Sequence, residues 1–170
     1  MVVTTTRSER IGVHIDEFEE TMKPPIFSIR PTGNTAQQYM HRARMFRRAA
    51  GELVDYSNGE QFWPKYALLT HAIELALKAF AIHSEGIGKP RSRQPANHDL
   101  RGWYDLALQH GLQDEPSVAL NIDVLNELHR NHYTRYPQER TTPLPDASVI
   151  ADSTVDHLIF AFTQSINPRS

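Results

Sequence analysis

The run Leu128-His129-Arg130-Asn131-His132-Tyr133-Thr134-Arg135-Tyr136-Pro137 is the densest group of chemistry-bearing side chains in this sequence. Its guanidinium groups suit planar, bidentate anions such as phosphate. Its tyrosine rings suit base stacking, so RNA or a nucleotide is the ligand class the segment favours. A plainer reading stands beside it, since cations at the C-terminal end of a helix are favoured by the helix dipole, which accounts for part of the cluster. His129 and His132 stand three apart, a spacing that can bring two imidazoles to one metal ion. No acidic residue joins them at matched spacing on the same helix, and there is no His-Glu-x-x-His pattern, so neither a metal nor a cofactor is expected.

Two further places carry polar groups worth weighing. Glu74 and Lys78 are spaced i, i+4 inside an otherwise apolar segment. They read either as an exposed helical ion pair or as a pair drawn towards a neighbouring helix or a subunit interface. His98 and Asp99 precede a helical pattern, where His98 serves as an N-cap or the residue before it and Asp99 complements the dipole. Asp152, Asp156 and His157 read as a solvated helix face. There is no glycine-rich phosphate loop, no serine elbow and no paired-carboxylate signature, and the chain contains no cysteine, which removes disulfides, thiolate ligands and cysteine nucleophiles.

These side chains must be held by a fold of limited size. With 170 residues, 39% hydrophobic and 22% charged, the chain has room for one domain with a real core. A net charge of −2 gives no global attraction to nucleic acid, although fourteen of the eighteen cationic residues are arginine. The longest apolar-rich stretch, from Tyr66 to Ile82, is interrupted by His71, Glu74 and Lys78, which argues against a membrane span. The N-terminus lacks the apolar run of a signal peptide, and the expectation is a cytoplasmic protein.

Periodicity supplies the elements. Residues 1–33 show no helical period and are punctuated by Pro24, Pro25, Pro31 and Gly33, which predicts an irregular N-terminal arm. Residues 34–170 read as one helical domain. Helix 1 is expected from Asn34 or Thr35 to about Tyr56, with Tyr39, Ala43, Phe46, Ala50 and Leu53 as its apolar stripe. Helix 2, from Pro64 to Glu85, is apolar nearly all round and so central. Helix 3 is expected over Asp99 to His110, helix 4 over Pro116 to Tyr133, and helix 5 over Ala147 to Ile166. The predicted architecture is all-α, an antiparallel up-and-down bundle of four to five helices.

The order of three strings, HAIELALKAF, HDLRGWYDLALQHG and LNELHRNHYTRYP, resembles the HEPN superfamily (higher eukaryotes and prokaryotes nucleotide-binding domains) across about residues 36–166. The resemblance implies a helical bundle, commonly dimeric. It also implies either a metal-independent endoribonuclease or a toxin paired with a nucleotidyltransferase antitoxin. The family's site is an Arg followed by a polar residue, with a His beyond four to six intervening residues. That His supplies acid and base near neutral pH and the Arg stabilises phosphorane charge. Arg130-Asn131 matches the opening of the motif, but Arg135, Tyr136 and Pro137 stand where the His belongs. Tyr136, with an ordinary pKa of about 10, is a poor base at neutral pH. The expected catalytic set is therefore Arg130, Asn131 and His132, or His129 in place of His132. The expected ligand-binding set is Glu74, Lys78, His98, Arg135 and Tyr136. The leading expectation is a non-catalytic, homodimeric HEPN-like module that binds a nucleotide, RNA or a protein partner in a toxin-antitoxin or defence-type system. A metal-independent ribonuclease and a helical scaffold without a ligand site are the alternatives.

Overall fold

The computed structural model describes residues 34–54, 62–84, 94–130 and 146–167. The expected arm at 1–33 lies outside the described residues, as do Asn131, His132, Arg135 and Tyr136. Five helices make up the described part: α1 (Thr35–Glu52), α2 (Trp63–Ser84), α3 (Leu100–Gln109), α4 (Pro116–Arg130) and α5 (Ala147–Ile166). They form an all-helical bundle, with no strand among the described residues.

Local chemistry sets the starts of α1, α3 and α5 and the end of α3. Asn34 caps α1 through a reciprocal box: its side chain accepts from the Gln37 backbone N–H at 2.9 Å, while the Gln37 side chain accepts from the Asn34 N–H at 2.9 Å. α1 stops at Glu52, short of Tyr56; Gly51 in its last turn and β-branched Val54 beyond it are weak helix formers. Asp99 caps α3, and Gly111 follows its end with φ of 94°, a left-handed turn that returns Leu112 to the core, where its N–H donates to Ala107 O at 2.9 Å. Asp146 caps α5 by accepting from the backbone of Ser148 and Val149.

α2 is the axis of the bundle and packs against α1, α3 and α5. Tyr66, Leu69, Ala72, Ile73, Ala76, Leu77 and Ala79 on it are fully or almost fully buried, as expected for a helix that is apolar on every side. The Tyr66 hydroxyl also reaches across to donate to Leu125 O on α4 at 3.2 Å. On α1 the most buried residues are Ala36, Met40, Ala43 and Ala50, while Tyr39 and Phe46 are only partly covered and Leu53 is exposed. The buried stripe is thus turned from the one expected, because Arg44 and Arg47 face α5 and need its polar side chains. Arg44 donates to the Thr163 hydroxyl at 2.9 Å, and Arg47 binds Asp156 through two bonds of 2.8 and 2.9 Å and Asp152 at 3.1 Å. Asp152 and Asp156 are therefore ion-pair partners and not merely a solvated face. As α1 ascends from Arg44 to Arg47, its partners on α5 descend from Thr163 to Asp152, so the two helices run antiparallel. α3 and α4 do the same, with Arg101 on Asp123 of α4 and Tyr104 on Asp114 in the turn just before it.

Candidate functional site

A carboxylate buried in a helical core is costly unless charge and hydrogen bonds compensate it. Glu74 is 3% exposed, near the middle of α2. Of the two readings of Glu74 and Lys78, the exposed pair is corrected and the pair drawn towards neighbouring helices is the one found, because α2 is enclosed by them. Lys78, one turn on, donates from Nζ to Glu74 Oε1 and lies over the Trp103 ring, 5.0 Å from its centroid. The other oxygen, Oε2, faces two imidazoles from different elements: His98 Nδ1 at 3.1 Å and His129 Nε2 at 3.0 Å. Those two nitrogens are 3.3 Å apart, and the rings meet edge to face with centroids at 5.1 Å.

Burial alone would raise the Glu74 pKa. The hydrogen bonds from His129 and Lys78, with their positive charge, outweigh it and hold the carboxyl well below the usual range, so Glu74 is an anion at neutral pH. His71, one turn earlier on α2, packs edge-on against Phe46 with ring centroids 4.5 Å apart. Burial lowers its pKa, and the positive charge around His129, Lys78 and His98 adds to that against the pull of Glu74. His71, Glu74 and Lys78 form a polar line, spaced three and four, along an apolar helix.

The backbone places His98 deliberately. Asp99, not His98, is the N-cap of α3, and its carboxylate accepts from Gly102 N at 3.2 Å. His98 precedes the cap with φ of 68°, in the left-handed region, which aims its side chain at Glu74 and away from the helix end. Of the two positions expected for His98, it takes the one before the cap, and Asp99 caps because a short carboxylate reaches the free N–H groups better than an imidazole does. Gly102 allows the turn to sit close, since a β-carbon there would lie 2.9 Å from Pro95 Cβ and 2.7 Å from Asp99 Oδ2. His129 comes from the last turn of α4 and is half-buried, while Arg130 next to it is exposed.

The structure therefore unites three of the expected ligand-binding residues, Glu74, Lys78 and His98, and adds His129 to them. Arg130 is separated from that group, turned outward. Neither His71 nor Trp103 was expected at the site; the spacing of His71 to Glu74 and Lys78 was the signal that could have found the first. A cleft of about 340 Å³ lined by Phe80, Leu112, His157 and Phe160, among others, shares no residue with this cluster. No helix among the described residues is long and apolar enough to cross a membrane. No family model, curated protein or solved structure matches this chain.

Proposed function

We propose that the chain is a HEPN-like helical module that binds RNA or a nucleotide without cleaving it, at the end of the bundle where α4 finishes. One observation carries this reading: His129 points inward onto Glu74, while the adjacent Arg130 stands exposed. Consecutive residues on an α-helix project about 100° apart, and with its Nε2 held on Glu74 this His129 is not offered to a phosphate bound by Arg130. His129 is engaged by a buried carboxylate, and Arg130 is left as a cation for a phosphate. The motif strings support the family, and Arg135 and Tyr136 further along the chain supply the same ligand chemistry. A homodimer, or a complex with a nucleotidyltransferase or antitoxin partner, belongs to the same proposal. The protein is proposed to be cytoplasmic.

The test is fluorescence anisotropy of labelled single-stranded RNA and of a labelled ATP analogue at low salt, with the RNA recovered and sized on a gel. The expected result is salt-dependent binding that weakens in Arg130→Ala, with the RNA intact. Metal-free cleavage that disappears in Arg130→Ala would establish the ribonuclease in its place. Binding of neither probe would leave a protein-binding or scaffold module.

A further inference from the structure

We propose that Glu74, His98 and His129 form a site for one divalent transition-metal ion of the zinc class, held by Glu74 Oε2, His98 Nδ1 and His129 Nε2. The donors come from three separate elements: α2, the turn before α3, and the last turn of α4. The proposal does not require that RNA bind, and it is tested without RNA.

The spacing of the donors is the first argument. The three atoms are separated by 3.0, 3.1 and 3.3 Å. Four-coordinate zinc with bonds of about 2.0–2.1 Å sets its ligands about 3.3–3.4 Å apart. A point equidistant from these three donors lies about 1.8 Å from each. An ion at normal bond length therefore sits slightly off their plane, as at the centre of a tetrahedron seen from one face, and the donors need to spread by only a few tenths of an ångström.

Hydrogen bonding explains the same contacts less completely. If both imidazoles donate to Oε2, two N–H groups lie side by side at 3.3 Å. If one is deprotonated at that nitrogen, it faces the carboxylate lone pairs instead. A cation among the three satisfies all of them at once. Two imidazoles and one carboxylate are an established donor set for zinc with a fourth position left for water. The His98 side chain is 30% exposed, so the cluster is reachable from solvent on that side.

The surroundings fit as well. Lys78 occupies Oε1 and so fixes the Glu74 carboxylate with Oε2 alone turned to the imidazoles, which is the role of an outer-shell partner. His98 holds its place through a left-handed backbone that a β-carbon disfavours, a conformation that persists where the surroundings over-determine it.

The experiment uses the full chain stripped with chelator and dialysed. Zn²⁺ is titrated calorimetrically and Co²⁺ by visible absorption, with Mg²⁺ as control. One Zn²⁺ per chain is expected, with Co²⁺ giving the intense visible bands of a low-coordinate site and Mg²⁺ giving nothing. Zn²⁺ at a hundredfold excess over its Kd should raise Tm by roughly 5–10 °C. His98→Ala and His129→Gln, checked for native helicity, should each weaken Zn²⁺ binding at least tenfold. Absence of Zn²⁺ binding, or a weak octahedral Co²⁺ spectrum, overturns the proposal on the unsubstituted chain alone. Binding that survives unchanged in both folded variants also overturns it, because the ion then sits elsewhere.

Discussion

Glu74 Oε2 and His129 Nε2 meet at 3.0 Å although they are 55 positions apart in the sequence. The contact crosses from the middle of the most enclosed helix to the last turn of α4. It gives a buried anion a partner from outside its own helix and ties the His129 turn of α4 to the middle of α2. Everything proposed about this protein's chemistry depends on that meeting, since it draws His129 inward and leaves Arg130 on the surface.

Glu74→Gln should cost about 3 kcal/mol of unfolding free energy in the presence of chelator, because Lys78 and two imidazoles lose the anion that holds them. Lys78→Met alone should cost less, since its ammonium is nearer solvent. Urea denaturation of both single variants and the double variant tests this; strict additivity would mean the two groups do not act as a unit.

At position 98 the backbone and the side chain pull apart. His98→Ala loses the imidazole and keeps a β-carbon at φ of 68°, whereas His98→Gly loses the imidazole and the strain together. The glycine variant should therefore be the more stable by about 1 kcal/mol, measured by thermal and urea unfolding. Equal stability would show that the turn relaxes away from the left-handed region once His98 is gone.

Gly102→Ala reverses a familiar rule. Alanine inside a helix ordinarily gains about 1 kcal/mol over glycine. Here the new β-carbon would lie 2.7 Å from Asp99 Oδ2 and 2.9 Å from Pro95 Cβ, so the cap and the turn that carries His98 must shift. A net loss of about 1–3 kcal/mol is expected, with circular dichroism unchanged at low temperature. A gain in Tm would contradict this close approach.

Asp146 gives the pH dependence. The Ser148 hydroxyl, at 2.6 Å, and then the backbone N–H groups of Ser148 and Val149 favour its ionised form and hold its pKa below the usual range. Because the folded value is depressed, the stability it contributes is complete above the unfolded value of about 3.9 and is lost as pH falls through the lower folded one. Asp146→Ala should cost about 1 kcal/mol at pH 7 and progressively less in acid, the two curves drawing together as pH falls through the lowered folded value. A constant difference across pH 2–7 would assign the effect to packing.

The helices were legible in the sequence because their signals are local. Val118, Ile122, Leu125 and Leu128 on α4 recur at the expected spacing and are buried, and α5 runs from Ala147 to Ile166 as its period requires. The stripe on α1 was less legible, because Arg44 and Arg47 take sites on α5 that no periodicity along α1 reveals. The site was half legible. A charged pair inside an apolar helix identified Glu74 and Lys78 as unusual, but spacing along one helix could not say whether solvent or protein faced them. Spacing along α4 offers His129 no carboxylate; its carboxylate comes from α2. The place of His98 at or just before a cap is legible from its neighbours, whereas its φ of 68° depends on the assembled turn.

The reach of Glu74 along the chain also has a consequence in time. Its contacts with His98 and His129 close loops of 24 and 55 residues, and such closures carry their entropy cost before the contacts repay it. Turns within a helix need no such closure, while α1 on α2 closes 25 residues between Phe46 and His71, about as many as Glu74 to His98. The 55-residue closure to His129 is the longest of these, and we expect it to form late, so that loss of His129 registers mainly in the unfolding limb of the chevron. Glu74 and its partners act as a latch on the finished bundle, setting how long it stays shut.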